Sequence, residues 1–195
     1  MSTLYPYNPS YGQRIQGELG TDPVDMSFLA HYQKAPAATG AATIHAAITL
    51  PDSGTLDVTT GITNPDVPRT LTITGNQAGI TGNVVIEGTD AAGAAITDTI
   101  AANGTNTVEG VRAFKTVTKI TVPTKAGPGD AISVGTGKKL GLPHKVYNTA
   151  CLLVKLFDGS ADTGTLAVNA ELSKNLFALN GTPNGAKVVD LFYIV

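Results

Sequence analysis

From about residue 43, hydrophobic and polar residues alternate with a period of two. In residues 69–75, Leu71 and Ile73 face one way while three threonines face the other, which predicts a half-buried strand. Similar runs, each bounded by Gly, Asn, Asp or Pro, occupy residues 83–87, 95–100, 113–122 and 130–134. Strands repeated at this spacing predict an all-β chain folded as a β-sandwich.

The chain divides into three parts by its pattern. Residues 1–40 lack any sustained period and predict an extended N-terminal arm, in which a short helix starting near Asp22 and a strand over residues 26–32 are both possible. Residues 41–143 are the predicted sandwich domain. Residues 144–195 form a C-terminal β segment, and its apolar runs are too continuous for a solvent-facing edge. We therefore expect this segment to pack on the sandwich, the arm or a neighbouring subunit.

Composition and charge exclude several partners. Charged residues are 14% of the chain, the formal net charge is −2 and no basic cluster occurs, so nucleic acid is not expected as a partner. No apolar run reaches the ~18 residues of a membrane span, and no secretion signal is recognisable, so we expect neither a membrane partner nor export. The single cysteine, Cys151, predicts a buried, inert thiol.

Motifs for catalysis or cofactor binding are not evident. No Gly-x-Ser-x-Gly segment occurs, and the glycine-rich residues 135–141 depart from a phosphate-binding loop. The sequence alone cannot show whether carboxylates on strand ends converge, the candidates being Glu87, Asp90, Asp98 and Glu109. The histidines are isolated from other metal-ligand residue types; these are His31, His45 and His144. We expect no enzyme, no metal and no cofactor.

Three tyrosines in the arm are the candidate functional residues. Tyr5, Tyr7 and Tyr11 alternate with Pro6 and Pro9 in a stiff, extended segment, and tyrosine is a residue type that anchors interfaces. We interpret these three tyrosines as assembly contacts.

The sequence resembles small virion structural proteins of tailed bacteriophages, including proteins that decorate the capsid. The resemblance lies in Pro68-Arg-Thr-Leu-Thr-Ile-Thr-Gly, in residues 82–93 and 113–123, and in the ending from Leu179 to Val195. It implies a β-sandwich on the exterior of the capsid, made in the host cytoplasm, whose partners are the major capsid protein and copies of itself, often as a trimer.

Two other functions remain open from the sequence. A tail, neck or fibre component of the virion would share the predicted fold. A carbohydrate-binding adhesin module would instead display aromatic side chains in a cleft, for which Tyr32 and Tyr147 are candidates.

Overall fold

The computed structural model describes residues 28–195, together with the backbone of Ile15–Gln16 and Pro23–Val24. Within these residues the protein is all-β, as predicted, with two short 3₁₀ turns at Thr149–Cys151 and Leu172–Lys174. The strands are β1 (Ile15–Gln16), β2 (Pro23–Val24), β3 (Leu29–Lys34), β4 (Gly40–Thr49), β5 (Leu56–Val58), β6 (Arg69–Gly75), β7 (Asn83–Thr89), β8 (Ala95–Ala101), β9 (Val108–Phe114), β10 (Thr116–Val122), β11 (Ala131–Gly141), β12 (Leu152–Phe157), β13 (Ser160–Ala161), β14 (Thr165–Ala167), β15 (Leu176–Ala178) and β16 (Val189–Ile194). No helix among these residues is long and apolar enough to cross a bilayer.

Two antiparallel sheets enclose the main core. One has the strand order β5-β10-β7-β8; the other has the order β14-β15-β11-β6-β9, with β4 also paired to β11. Their inward residues form a cluster of Ile, Val, Leu and Phe side chains that includes Leu71, Ile73, Ile86, Phe114 and Ile120. Alternate residues of β7 and β10 point into this cluster, so the period of two in the sequence becomes one buried face on these strands.

Strand β11 connects the main core to a second core. Strand β6 pairs along one side of β11, whereas the other side pairs with β4 in its first half and with β15 in its second half. Ile132 consequently belongs to the main core, and Leu140 to the second. An eleven-residue strand is long enough to serve both cores.

A third sheet covers the second core. This C-terminal sheet has the order β13-β12-β16-β3, so the last strand of the chain pairs with residues 29–34 near its beginning. Phe28 and Val195 extend the ladder by exchanging both backbone hydrogen bonds at 3.0 Å. The sequence left open a short helix starting near Asp22 and a strand over residues 26–32. The structure has a strand at Leu29–Lys34, and Pro23–Val24 pair with Ile15–Gln16 as a strand.

Two details differ from the sequence prediction. Strand β6 is buried on both faces, and the buried hydroxyl of Thr70 is satisfied by donating to the Glu109 carboxylate. The run 113–122 is two strands in different sheets, since Ala113 and Phe114 are buried in succession and break the alternation. The chain changes sheets at Lys115.

A buried arginine fixes the segment that joins β3 to β4. Arg69 is fully buried, and its Nε and Nη2 donate to the Gly137 carbonyl oxygen at 2.9 and 2.7 Å. Its Nη1 donates to the Ala37 carbonyl oxygen and to Asp66 Oδ1, both at 3.0 Å. Asp66 Oδ2 accepts the Ala37 N–H at 2.6 Å, so both backbone groups of Ala37 are held.

Candidate interaction surface

The two faces of β16 are both apolar. Val189, Leu191 and Tyr193 alternate inward and are fully buried in the second core. The alternate residues point outward, and two of these three, Phe192 and Ile194, are also hydrophobic. The C-terminal sheet therefore presents apolar side chains on the side away from its own core.

Neighbouring strands continue this outward apolar surface. Directly opposite residues of antiparallel strands share a face. On one side of β16, strand β3 places His31 opposite Phe192 and Leu29 opposite Ile194. On the other side, β12 places Val154 opposite Phe192 and Leu156 opposite Asp190. Leu29 is 63% exposed and Val154 is 38% exposed. Leu153, the extra residue at a register shift in β12, is 55% exposed. We call the surface formed by these six hydrophobic residues the outer face: Leu29, Leu153, Val154, Leu156, Phe192 and Ile194.

One polar pair lies within the outer face. The rings of His31 and Phe192 stack with their centroids 4.2 Å apart and their planes 6° from parallel. His31 Nε2 lies 2.6 Å from Asp190 Oδ1. The pair holds the imidazole flat against Phe192 and leaves an aromatic platform at the centre of the apolar surface.

The sheet β5-β10-β7-β8 carries a different surface. On β10 and β7 the outward residues include Lys119, Glu87 and Thr121, and Lys119 Nζ lies 2.6 Å from Glu87 Oε1 and 3.8 Å from Asp57 Oδ2. The hydrogen bond to Glu87 raises the pKa of Lys119. This is the polar face expected of a sheet that meets water, so the apolar outer face stands out as an interaction surface.

The outer face ends at a strand edge. Because Phe28 and Val195 are a hydrogen-bonded pair, the antiparallel alternation directs the backbone groups of Leu29, His31 and Gln33 away from β16. No other strand pairs with β3 in the part of the chain that the structure describes. An edge of this kind accepts an added strand from another segment or chain.

The predicted contact residues Tyr5, Tyr7 and Tyr11 lie outside the described residues. The sequence prediction did not identify the outer face itself; it expected the apolar runs of residues 144–195 to pack on the sandwich, the arm or a neighbouring subunit. The useful signal was the presence of Phe192 and Ile194 at the positions alternating with Leu191 and Tyr193.

The candidate carboxylates have structural partners. Asp90 accepts the N–H groups of Ala92 and Ala94, while Asp98 accepts those of Thr99, Val111 and Arg112. Glu87 pairs with Lys119, and Glu109 binds the Thr70 hydroxyl and the backbone of β11. Among the described residues, no three His, Cys, Asp or Glu side chains are grouped closely enough to hold a metal ion.

The remaining residues singled out in the sequence have local roles. His45 makes a hydrogen bond from Nδ1 to the Ala46 carbonyl oxygen at 2.6 Å. Residues 135–141 belong to β11, so no helix follows the glycines. The expectation of a buried Cys151 was wrong: the thiol is partly exposed, because the chain turns at Thr149–Cys151 before entering β12.

The two aromatic residues proposed for a sugar site differ in exposure. Tyr147 is 72% exposed, and Lys145 Nζ lies 4.8 Å from the centre of its ring. Tyr32 is buried in the second core, and its hydroxyl has no hydrogen-bond partner among the described residues. Burial raises the pKa of Tyr32 well above its usual range, and the nearby Asp66 carboxylate adds to this effect.

A cleft of about 520 Å³ lies beside the open edge of β3. Its lining includes Lys34, Asp66 and Lys115. Asp66 is already bound by Arg69 and Ala37, and His31, which also lines the cleft, is paired with Asp190.

The chain matches no protein-family model, no curated protein and no solved structure. Its own surface is therefore the guide to its function. In the described part of the chain, the most distinctive feature of that surface is the apolar outer face beside an open strand edge.

Proposed function

We propose that this chain is a virion structural protein that decorates and stabilises the capsid of a tailed phage. Its partners are the major capsid protein and copies of itself, arranged as a trimer on the capsid exterior. The observation that carries this proposal is the outer face, where Leu29, Leu153 and Val154 are exposed and Val154 lies directly opposite Phe192. A contiguous apolar surface of this kind is typical of a contact between proteins.

The energetics of such a surface suit an assembly protein. Burial of apolar area stabilises a contact by about 25 cal/mol per Å², and most of that gain is offset by the loss of rotational and translational freedom. A single small surface therefore binds weakly by itself. Copies joined in a multimer bind together, and the combined affinity rises without any additional type of contact. Many weak, identical contacts are what reinforcement of a shell requires.

Two alternatives use parts of the same evidence. A tail, neck or fibre component would assemble through the same outer face. A carbohydrate-binding adhesin module is favoured by the exposed ring of Tyr147, while the burial of Tyr32 counts against it. Aromatic residues are only 6% of the chain, which limits the stacking surfaces that sugars use.

The direct test is to mix the purified protein with undecorated heads of tailed phages and to examine them by cryo-electron microscopy. We expect saturable, symmetric density on the outside of the shell. If heads that accept another decorating protein show no such density, the capsid role is wrong. Binding to tails or fibres, or to a glycan array, would then identify which alternative is correct.

A matched pair of variants tests the surface itself. Leu153 and Val111 are each 55% exposed, but Leu153 borders the outer face whereas Val111 lies on β9 in the large sheet. Leu153→Asp should abolish binding to heads, because it places a charge in an apolar contact. Val111→Asp should bind as the unmodified protein does. Equal binding by both variants would show that the outer face is not the contact.

A further inference from the structure

The cleft beside β3 follows the free edge of that strand. Residues 31–34 all line the cleft, although successive side chains of a strand point to opposite sides of its sheet. Consecutive residues share one cleft in this way when the cleft runs along the strand's edge. The remaining lining comes from residues 65–68, Ala91, Lys115 and Pro143. The cleft therefore lies between the C-terminal sheet and loops of the sandwich.

The backbone of β3 has unused hydrogen-bonding groups on this edge. Its pairing with β16 turns the N–H and carbonyl groups of His31 and Gln33 outward, and no strand among the described residues takes them up. The loop side of the cleft contains Pro65, Pro68 and Pro143, which have no N–H to donate. An added strand from elsewhere is the structure that such an edge accepts.

The cleft carries uncompensated positive charge. Lys34 and Lys115 both line it and are exposed, and neither forms an ion pair with a described carboxylate. The charge of Asp66 is balanced by Arg69, whose Nη1 lies 3.0 Å from Asp66 Oδ1. A ligand that fits this cleft therefore brings an acidic group.

One residue of the cleft also has an unused side-chain group. Tyr32 is 4% exposed, and its buried hydroxyl has no hydrogen-bond partner among the described residues. Buried polar groups in folded proteins ordinarily have a partner. A polar ligand in the cleft would supply one.

We propose that this cleft binds an extended peptide segment of a partner protein, which pairs with β3 as an added strand and directs an acidic side chain toward Lys34 and Lys115. Main-chain hydrogen bonds to the edge supply affinity, and the side chains in the cleft supply specificity. A second copy of β3 does not fit, because Leu29–Lys34 contains no acidic residue and would bring another lysine. The site is separate from the outer face and needs no capsid.

A displayed library of random ten-residue peptides, selected on the full-length protein, supplies the probe. We expect the recovered peptides to share β-branched residues at alternate positions and at least one aspartate or glutamate. The tightest peptide is then synthesised with a fluorophore, and its affinity is measured by fluorescence anisotropy. Replacing its acidic residue by the corresponding amide should weaken binding about tenfold.

Variants of the protein test the two parts of the site separately. The double variant Lys34→Gln, Lys115→Gln should bind the peptide about tenfold more weakly, because both positive charges are removed. Lys138→Gln is the control, since Lys138 is exposed and lines a different cleft, and its affinity should not change. Gln33→Pro removes an outward N–H but no hydrogen bond to β16, so it should weaken binding about tenfold while circular dichroism shows intact sheets.

The outcomes are distinct from those of the phage-head experiment. Recovery of no peptide, or equal affinity for the unmodified protein and the double lysine variant, overturns the inference. Dimerisation in analytical ultracentrifugation that Gln33→Pro abolishes would show that a second copy occupies the edge, and this also overturns it. If Gln33→Pro does not fold, the lysine variants decide. Leu153→Asp should bind the peptide normally, because the outer face is not part of this cleft.

Discussion

Arg69 offers a sharp test of how the fold is held together. Its fully buried guanidinium donates twice to the Gly137 carbonyl oxygen in β11, once to the Ala37 carbonyl oxygen and once to Asp66. It thereby ties β6, β11 and the segment between β3 and β4 together at one point. We predict that Arg69→Met destabilises the protein strongly while leaving its volume nearly filled.

The size of the effect follows from the partners that are left behind. The variant strands the buried Gly137 carbonyl oxygen, which costs about 1–3 kcal/mol when it loses its donor, whereas Ala37 is exposed and water can replace the arginine at its carbonyl oxygen. The lost ion pair with Asp66 adds little, because the Asp66 side chain is 34% exposed and water screens it. Methionine fills most of the space, so the cavity contribution is small. The free energy of unfolding should fall by about 1–3 kcal/mol, a substantial part of the 5–15 kcal/mol typical of a folded protein.

Urea unfolding followed by circular dichroism measures this change through the midpoint and the slope of the transition. Arg112→Met is the matched control, because Arg112 is also paired, with Glu171 and Ser173, but its side chain is 21% exposed. That variant should lose less than about 1 kcal/mol. If Arg69→Met and Arg112→Met cost the same, the buried guanidinium does not hold the segment and the reasoning fails.

Two further predictions concern close packing and pH. Gly135→Ala should lower the melting temperature, because a Cβ there would collide with the Gly40 carbonyl oxygen of the paired β4. Gly79→Ala is the control, since a Cβ at that position meets open space, and it should melt within a few degrees of the unmodified protein. Equal melting temperatures for the two variants would contradict this contact. Burial raises the pKa of Tyr193 to about 12, because its hydroxyl is enclosed and has no hydrogen-bond partner among the described residues. Below pH ~10 the Tyr193 hydroxyl keeps its proton in both the folded and the unfolded protein. Between pH ~10 and ~12 only the unfolded protein loses that proton, so the free energy of unfolding should fall by about 1.4 kcal/mol per pH unit. Tyr193→Phe should make the alkaline limb of a stability–pH curve shallower, and an unchanged slope would refute the assignment.

The sequence by itself determined the local structure well where alternation was clean. Residues 69–75 were predicted as a strand and form β6 with the same limits, because alternating hydrophobic and polar residues suit one pleated backbone conformation wherever the strand pairs. Three Asn-Gly pairs in the sequence predict turns with positive φ at the glycine; Gly104 and Gly185 adopt φ values of +57° and +84°, whereas Gly181 does not adopt positive φ. The all-β class followed from these short-range signals.

Only the tertiary structure decided which strands became neighbours. Phe28 and Val195 meet across the whole length of the chain, and β11 serves two cores; no period or motif encodes either fact. The outer face depends on both of those arrangements, since Leu29, Val154 and Phe192 come together only through the register of β3, β16 and β12. Alternation specifies that a strand has two faces, but the strand's partners determine what each face meets. Those partners are distant in sequence, and the free energy that selects them comes from burying both cores at once.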